Sequence, residues 1–283
     1  MKSFLLFTAL LMAGFSSMGS QPIEVTTTGS GDHVVIIAGF GGQEPWREVI
    51  KELSKSSTCH LVTIRGIDGS KSSDSLHVGV IVEEIVRFMH ANAIEKPVVI
   101  GHSFGGFIAA KLAAGNAGIA KKLVMIDTFP FAPALMEPSL TQETGKQQAQ
   151  MFRQHIMALP EQAYQGFWMQ NMQLLVSDKT NQELIHHSIT QSQRINVVQA
   201  QSAMLGTDLR LHLHQIQCPV LVLCSVASFL QAGLPDDLIR QRINEQFNNL
   251  PSCSIFIHPN ARHFMMLDQG QWVVDNIRQF VER

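Results

Sequence analysis

A serine at position 103 lies in the pattern G-x-S-x-G, with the sequence GHSFGG over residues 101–106. The preceding run, Pro97–Ile100, is short, apolar and rich in β-branched residues, which predicts a buried strand. The following run, Phe107–Ala114, is rich in Ala and Leu and favours a helix. A strand, a tight turn and a helix in this order would present the hydroxyl of Ser103 as a nucleophile at the edge of a sheet.

A serine hydroxyl is a weak nucleophile at neutral pH, so it needs a neighbouring base, and histidine has a suitable pKa. Among the 12 histidines, His263 lies in a loop between the last predicted strand and the last predicted helix. Such a loop opens on the same edge of the sheet as Ser103. His102 lies inside the turn and is expected to point elsewhere. Four histidines of a predicted helical insertion are expected to face solvent: His186, His187, His212 and His214.

A developing negative charge on a substrate oxygen requires hydrogen-bond donors. The glycine-rich run Ala38–Gly42 follows the first predicted core strand and lets the backbone approach a substrate closely. The N–H groups of Phe40 and Phe104 are therefore candidates for an oxyanion hole. The alternative is that the run is simply a flexible turn between a strand and a helix.

The elements that position these residues follow one another in regular alternation. Helical patterns separate most of the predicted strands, and the strands are mostly continuous apolar runs, as in parallel strands covered on both faces. This alternation predicts a doubly wound, mostly parallel α/β sheet. The six predicted strands are His33–Ala38, His60–Ile64, Pro97–Ile100, Lys122–Ile126, Pro219–Cys224 and Ser254–His258.

The alternation stops over residues 129–215, which contain no convincing strand. In this segment Tyr164, Trp168, Met172 and Leu175 fall on one helical face, which favours packing over substrate contact. We expect a helical insertion that covers the carboxyl edge of the sheet, where ligands bind in such folds. The predicted organisation is a core of residues 21–128 and 216–283 with a cap of residues 129–215.

The chain has 283 residues, 45% of them hydrophobic and 16% charged, as in a folded globular protein. A formal charge of −2 gives no basic field for nucleic acid. Residues 1–20 combine a lysine, an apolar run and small residues, which predicts a secretory signal peptide cleaved near Gly19 to Gln21. We therefore expect export to the periplasm or the medium, without stable membrane insertion after cleavage.

The four cysteines permit disulfides in an oxidising compartment without proving them. Cys218 and Cys253 each begin a predicted strand, and those strands should be neighbours, so one bridge between them is expected. The alternative is four buried free thiols. The spacing of His212 and His214 alone gives little support for a metal, and neither a metal nor a cofactor is expected.

Taken together, these motifs resemble the α/β-hydrolase fold family over nearly all of the chain after the N-terminal segment. The G-x-S-x-G turn is joined by Ile64–Ser70, which resembles an R-G-x-G-x-S loop, and by Arg262–Phe264, which resembles a catalytic histidine loop. The resemblance implies serine-dependent hydrolysis of an ester or related acyl bond, usually in a small apolar substrate. It also implies a cap between the sixth and seventh strands.

The sequence departs from the family pattern at the acid that would orient His263. The usual turn after the strand Pro219–Cys224 reads Ser-Val-Ala-Ser and has no carboxylate. Some members place the acid after the preceding strand, where Asp127 stands, and Asp127 is the preferred candidate. Asp236 and Asp237 are alternatives, and a Ser–His dyad or a site without an acid remains open.

The sequence thus predicts a serine hydrolase in which Ser103, His263 and Asp127 act on a small, apolar acyl substrate. An alternative is a protein of this fold that binds ligands with little or no turnover, motivated by the missing acid. Another is a cofactor-free perhydrolase resembling haloperoxidases, because the same three residues can form a peracid. The substrate and the oligomeric state are left open by the sequence.

Overall fold

The computed structural model describes residues 21–72 and 74–282. The predicted signal peptide of residues 1–20 lies outside this part of the chain. No helix among the described residues is long and apolar enough to cross a membrane.

A seven-stranded sheet forms the centre of the molecule. Its strands are β1 (Ile23–Thr28), β2 (Asp32–Ile37), β3 (Ser57–Ile64), β4 (Val98–His102), β5 (Lys122–Ile126), β6 (Val220–Ser225) and β7 (Cys253–His258). They lie in the order β1-β3-β2-β4-β5-β6-β7. All neighbouring pairs are parallel except β1 and β3, which are antiparallel. The predicted α/β class with a mostly parallel sheet is confirmed.

Strand β1 was not among the predicted strands. It is an edge strand in which only Ile23 is buried, and its threonines face outward. A continuous apolar run marks strands that are covered on both faces. β1 is covered on one side only, so it carries no such run.

The helices are α1 (Arg47–Leu53), α2 (Val78–Ala91), α3 (Phe104–Gly115), α4 (Pro133–Met136), α5 (Gln142–Ala158), α6 (Glu161–Leu175), α7 (Lys179–Gln191), α8 (Arg194–Gly206), α9 (Ala227–Gln231), α10 (Asp236–Gln246), α11 (Met265–Asp268) and α12 (Gly270–Glu282). α3 is buried along most of its length against the sheet. Every residue of β4 and β6 is buried. α3 therefore begins close to the end of a fully buried strand, β4.

Helices α4 to α8 form a cap within the predicted insertion. They come between β5 and β6, which are the fifth and sixth of the seven described strands rather than the sixth and seventh. The predicted apolar stripe of α6 packs inward, with Tyr164, Trp168 and Met172 buried. Within the cap, α5 packs against α8. Gly145 of α5 leaves room there for the backbone carbonyl of Leu205.

The expected disulfide between Cys218 and Cys253 is absent, and all four cysteines are free thiols. The register of the sheet explains this, because Cys253 pairs with Val220 and not with Cys218. Cys218 precedes β6 and has no position in its ladder. Burial raises the pKa of Cys253 to about 11, so its thiol is a poor nucleophile at neutral pH.

Candidate active site

Ser103 lies at the sharp turn between β4 and α3. Its backbone has φ 53° and ψ −123°, a conformation rarely adopted by residues other than glycine. Two backbone hydrogen bonds fix the turn: the N–H of Ser103 donates to Ile126 O over 3.1 Å, and Phe107 N–H donates to Ser103 O over 3.0 Å. A β-carbon at Gly105 would lie only 2.0 Å from the carbonyl oxygen of Ile37. Glycine at position 105 thus allows α3 to start against β2.

Three of the predicted side chains form one continuous hydrogen-bonded chain. Nε2 of His263 lies 2.9 Å from Oγ of Ser103, and Nδ1 lies 2.7 Å from Oδ2 of Asp127. A carboxylate only accepts hydrogen bonds, so Nδ1 of the neutral imidazole carries the proton. Nε2 is then free to accept the hydroxyl proton of Ser103. Sequence positions more than 130 residues apart meet here at the carboxyl edge of the sheet.

Asp127 follows β5 directly and is buried, with 4% of its surface exposed. Its Oδ1 accepts a hydrogen bond from the N–H of Ser225 at 2.7 Å, and its Oδ2 faces His263. Ser225 ends β6, where the sequence lacks a carboxylate, so the backbone there binds the acid from the adjacent strand. Asp236 and Asp237 lie exposed at the start of α10, and neither is brought to His263.

The loop of His263 is fixed by the cap and by α11. Phe264 N–H donates to Leu175 O at the end of α6 over 2.9 Å. The carboxylate of Asp268 accepts from Arg262 N–H at 3.0 Å and, on its other oxygen, from Ser177 N–H at 2.9 Å. The cap is therefore hydrogen-bonded to the segment that carries the imidazole.

His102 was expected to point away from the site, and that expectation was wrong in one respect. Its side chain lies behind the turn, but its Nε2 contacts the backbone oxygen of His263 at 2.8 Å. Burial, and next the adjacent ring of His263, hold the pKa of His102 well below its usual value. The signal that sequence reasoning lacked was the position of the His263 loop, which packs against the end of β4.

Phe40 and Phe104 lie close together at the same edge. Their ring centroids are 6.5 Å apart, and the ring of Trp168 from the cap lies 6.4 Å from that of Phe40. A β-carbon on Gly39 would lie 3.4 Å from the N of Phe104, so the two backbone segments approach closely. Within the described residues, neither Phe40 N–H nor Phe104 N–H has a hydrogen-bond acceptor.

A cavity of about 270 Å³ opens beside Ser103 between the sheet edge and the cap. Apart from Asp127 and His263, the described residues that line it have no ionisable side chain. The lining residues that sequence reasoning did not single out are Thr128, Phe129, Ala132, Leu174, Gln201, Met204, Leu205, Ser225, Ser228 and Phe229. Neither Phe40 nor Phe104 lines this cavity. An apolar cavity with a few polar groups is typical of a small-molecule site.

A metal centre finds no support in the described part of the chain, where no cluster of three potential ligands occurs. His212 and His214 are exposed near the short 3-10 turns that follow the cap. His187 is also exposed, and His186 is half-buried with its ring directed at the carbonyl of Gln165, 3.0 Å away. None of these four histidines lines the cavity beside Ser103.

Comparison with solved structures shows the same fold in proteins of low sequence identity. The chain is similar to a thermophilic esterase from Thermogutta terrifontis, with a TM-score of 0.71 and 19% identity over 92% of this chain and 93% of that one. It is also similar to an esterase from Exiguobacterium antarcticum, with a TM-score of 0.73 and 17% identity over 92% and 96% of the two chains. These similarities establish the architecture alone.

Sequence comparison identifies relatives among named hydrolases. A RutD protein of Serratia proteamaculans, named as a carbamate hydrolase, is 23% identical over 195 residues, covering 68% of this chain and 72% of that protein. The model of the alpha/beta hydrolase family matches residues 34–276. Because this match includes β3 to β7, most of β2 and the whole cap, the chain belongs to the alpha/beta hydrolase family.

Proposed function

We propose that the protein is a serine hydrolase that cleaves carboxylic esters of small, apolar acyl groups. The observation that carries the proposal is the unbroken hydrogen-bonded chain from Asp127 through His263 to Ser103 beside an apolar cavity. Each member has the position that its role requires: Ser103 as nucleophile, His263 as base and Asp127 as the carboxylate that orients the imidazole.

In the acylation step, Oγ of Ser103 attacks the ester carbonyl carbon while its proton passes to Nε2 of His263. Asp127 stabilises the imidazolium that forms, through the hydrogen bond to Nδ1. The negative charge moves to the former carbonyl oxygen, where the N–H groups of Phe40 and Phe104 donate hydrogen bonds. When the tetrahedral intermediate collapses, the bond to the alkoxy group breaks and His263 protonates the leaving alcohol.

Water then completes the cycle. His263 removes a proton from a water molecule, and the resulting hydroxide attacks the acyl-serine carbonyl. The second tetrahedral intermediate releases the carboxylic acid, and Ser103 recovers its proton from His263. The reaction consumes one ester and one water and yields one acid and one alcohol, with no need for a metal or a cofactor.

The substrate class follows from the walls of the cavity. Phe129, Leu174, Met204 and Phe229 surround a space of about 270 Å³ with apolar side chains. A charged acyl group would lose its hydration there without an opposite charge to bind it, at a cost of several kcal/mol in order of magnitude. Short to medium aliphatic or aryl acyl groups suit this environment.

The rival proposal was a binding protein without turnover, based on the missing acid. The 2.7 Å contact between Asp127 and His263 supports turnover over binding alone, because a carboxylate lies beside the imidazole. A pimeloyl-acyl-carrier-protein methyl ester esterase of Cronobacter sakazakii, 32% identical over 106 residues and 39% of its length, further favours ester chemistry.

The test uses a series of p-nitrophenyl esters with acyl chains of increasing length. We expect the wild type to hydrolyse them and Ser103→Ala to fall to the background rate. Asp127→Asn should lower kcat by about 10³-fold to 10⁴-fold, as expected when a triad loses its carboxylate. The matched control is Ser139→Ala, because Ser139 is exposed on the surface.

A fluorophosphonate probe gives a second readout, since it labels only an activated serine. Peptide mapping should recover the label on Ser103. Equal ester hydrolysis by the wild type and Ser103→Ala would reject the enzymatic proposal. Formation of peracid from acetate and hydrogen peroxide at a rate exceeding ester hydrolysis would favour the perhydrolase alternative.

We also propose that the protein is exported, on the basis of the sequence of residues 1–20. The expected mature chain begins near Gln21, directly before the first described strand. Sequencing the N-terminus of the protein isolated from the periplasm or the medium tests this. Recovery of the uncleaved chain from the cytoplasm alone would contradict it.

A further inference from the structure

His102, the residue immediately before Ser103, takes no part in the proposed proton transfers, yet it is in contact with the catalytic imidazole. It is almost fully buried, with 1% of its surface exposed. Its Nε2 lies 2.8 Å from the backbone oxygen of His263, and the two ring centroids are 4.7 Å apart. The ring of Phe264 packs on it as well, at 5.0 Å.

The contact fixes the tautomer of His102. A carbonyl oxygen only accepts hydrogen bonds, so Nε2 must carry the hydrogen. Nδ1 is then unprotonated, and it is buried without a partner among the described residues. Because burial and the neighbouring ring of His263 lower the pKa of His102, the side chain stays neutral. It acts as a fixed hydrogen-bond donor and not as a second base.

We propose that His102 is a positioning residue that holds the catalytic histidine by its backbone. The inference rests on the proposed function and adds a residue to it. Ser103 contacts the ring of His263, and His102 contacts its carbonyl, so two consecutive residues hold one histidine at two points. Both contacts come from the end of β4, which makes the distance between nucleophile and base a property of the rigid turn.

The remaining hydrogen bonds of the loop do not replace this contact. The carbonyl of His263 also accepts from Met265 N–H at 3.0 Å, but this bond lies within the loop itself. Phe264 N–H is bound to Leu175 of the cap, and Arg262 N–H to Asp268 of α11. Within the described chain, His102 alone ties this backbone segment to the element that carries Ser103.

The test compares His102→Leu with His102→Gln. Leucine fills the space without a donor, whereas the amide of glutamine can still donate to the carbonyl of His263. We expect His102→Leu to lower kcat roughly 10-fold to 100-fold with little change in KM, because small misplacements of reacting groups have effects of this size. His102→Gln should recover most of the lost rate. His214→Leu, at an exposed histidine, is the matched control.

The pH profile separates positioning from simple packing. A displaced His263 loses part of its contact with Asp127, so its imidazolium is less well stabilised. The pH dependence of kcat/KM should therefore change in His102→Leu and not in His102→Gln. A purely structural role would reduce the amount of active enzyme and leave the profile in place.

A measurement without turnover distinguishes failure of this inference from failure of the proposed function. The proton between His263 and Asp127 gives a downfield NMR resonance, which should shift or broaden in His102→Leu. Equal activity of wild type and Ser103→Ala would reject the function, while this resonance still tests the contact. A folded His102→Leu protein with wild-type kcat, pH profile and resonance would overturn the inference.

If His102→Leu does not fold, His102→Asn takes its place in the comparison. The shorter amide of asparagine does not reach the carbonyl of His263, so kcat should be lower than in His102→Gln. Equal kcat values and equal pH profiles in these two variants would overturn the proposal.

Discussion

Ser103 and Asp127 share a backbone conformation that side chains normally avoid. Their φ angles are 53° and 42°, in the region that favours glycine. Such a conformation costs on the order of 1–3 kcal/mol and persists where the surroundings determine it. Both residues follow the last residue of a parallel strand, and both are fixed by hydrogen bonds to the next strand, at Ile126 and Leu223. The strain is thus distributed over the two residues that must face His263.

His102 makes the stability of the protein sensitive to acid. Its pKa in the folded state is lowered well below 6.5 by burial, and next by His263, whereas in the unfolded chain it is ordinary. As the pH falls below about 6.5, the unfolded state binds a proton that the folded state does not, and the free energy of unfolding decreases. Urea unfolding at about pH 8 and about pH 5.5 should show a smaller decrease for His102→Gln than for the wild type.

His60 and His258 also have a pKa lowered by burial, and they contribute with the same sign. Both histidines are present in the wild type and in His102→Gln. Their contribution therefore cancels when the acid-induced decreases in the free energy of unfolding are compared. An equal or larger acid-induced decrease in His102→Gln would contradict the assignment to His102.

At the residue scale, the sequence predicted the contacts of Ser103 and His263 but left the acid open. Ser103 is marked by glycines and by its flanking elements, and His263 by its place after the last strand. Asp127 and Asp236 each follow a predicted strand of the core, at different distances, so their positions favoured Asp127 without excluding Asp236. In the structure, Ser225 N–H donates to Asp127, whose other oxygen contacts His263, and a backbone donor leaves no trace in residue identity.

At the element scale, the junction of β4 and α3 depends on backbone contact. A β-carbon at Gly105 would lie 2.0 Å from Ile37 O, which forces α3 away from β2. Gly105→Ala should therefore lower the free energy of unfolding by roughly 2 kcal/mol or more. The loss of ester hydrolysis should be larger than the loss of stability explains, because the displaced helix carries Phe104.

Gly166→Ala is the matched control for this substitution. Gly166 lies inside α6 with nothing within 4 Å of an added β-carbon. Alanine there should raise the free energy of unfolding by about 0.5–1 kcal/mol, since it favours the helix. Urea denaturation measures both changes, and equal effects of the two substitutions would contradict the packing argument.

Apolar runs were a reliable guide to the elements covered on both faces and a poor one elsewhere. Six strands were predicted within a few residues of their observed ends. Five of them, β2 to β6, are buried over most of their length, and β7 at the edge is only partly buried but still carries apolar residues. β1 is exposed on one face and went unnoticed. The register of β6 and β7 could not be predicted from the sequence either. In this register Cys253 pairs with Val220, which keeps it apart from Cys218.

On the scale of the whole molecule, the cavity exists only where cap and core meet. Met204 of α8 lines it together with Phe229 of α9. Met204→Trp should narrow the space, so that long-chain esters are excluded and short ones still fit. We expect the ratio of kcat/KM between acetate and longer esters to rise by about 10-fold to 100-fold.

Met151→Trp provides the comparison, because Met151 on α5 is 68% exposed. It introduces the same side chain in the cap without touching the cavity and should leave the ratio unchanged. An unaltered ratio in Met204→Trp would show that acyl groups bind elsewhere. The sequence predicted that a cap would wall the pocket, but not which side chains do so, because that depends on how α8 packs over the sheet.

Ser103 and His263 are 160 residues apart in the chain. A polypeptide that ends at β6 contains Ser103 and Asp127 but not the imidazole that joins them. The proposed site forms only after β7 has joined the sheet and the following loop has docked. An active enzyme therefore requires nearly the whole polypeptide, wherever it folds.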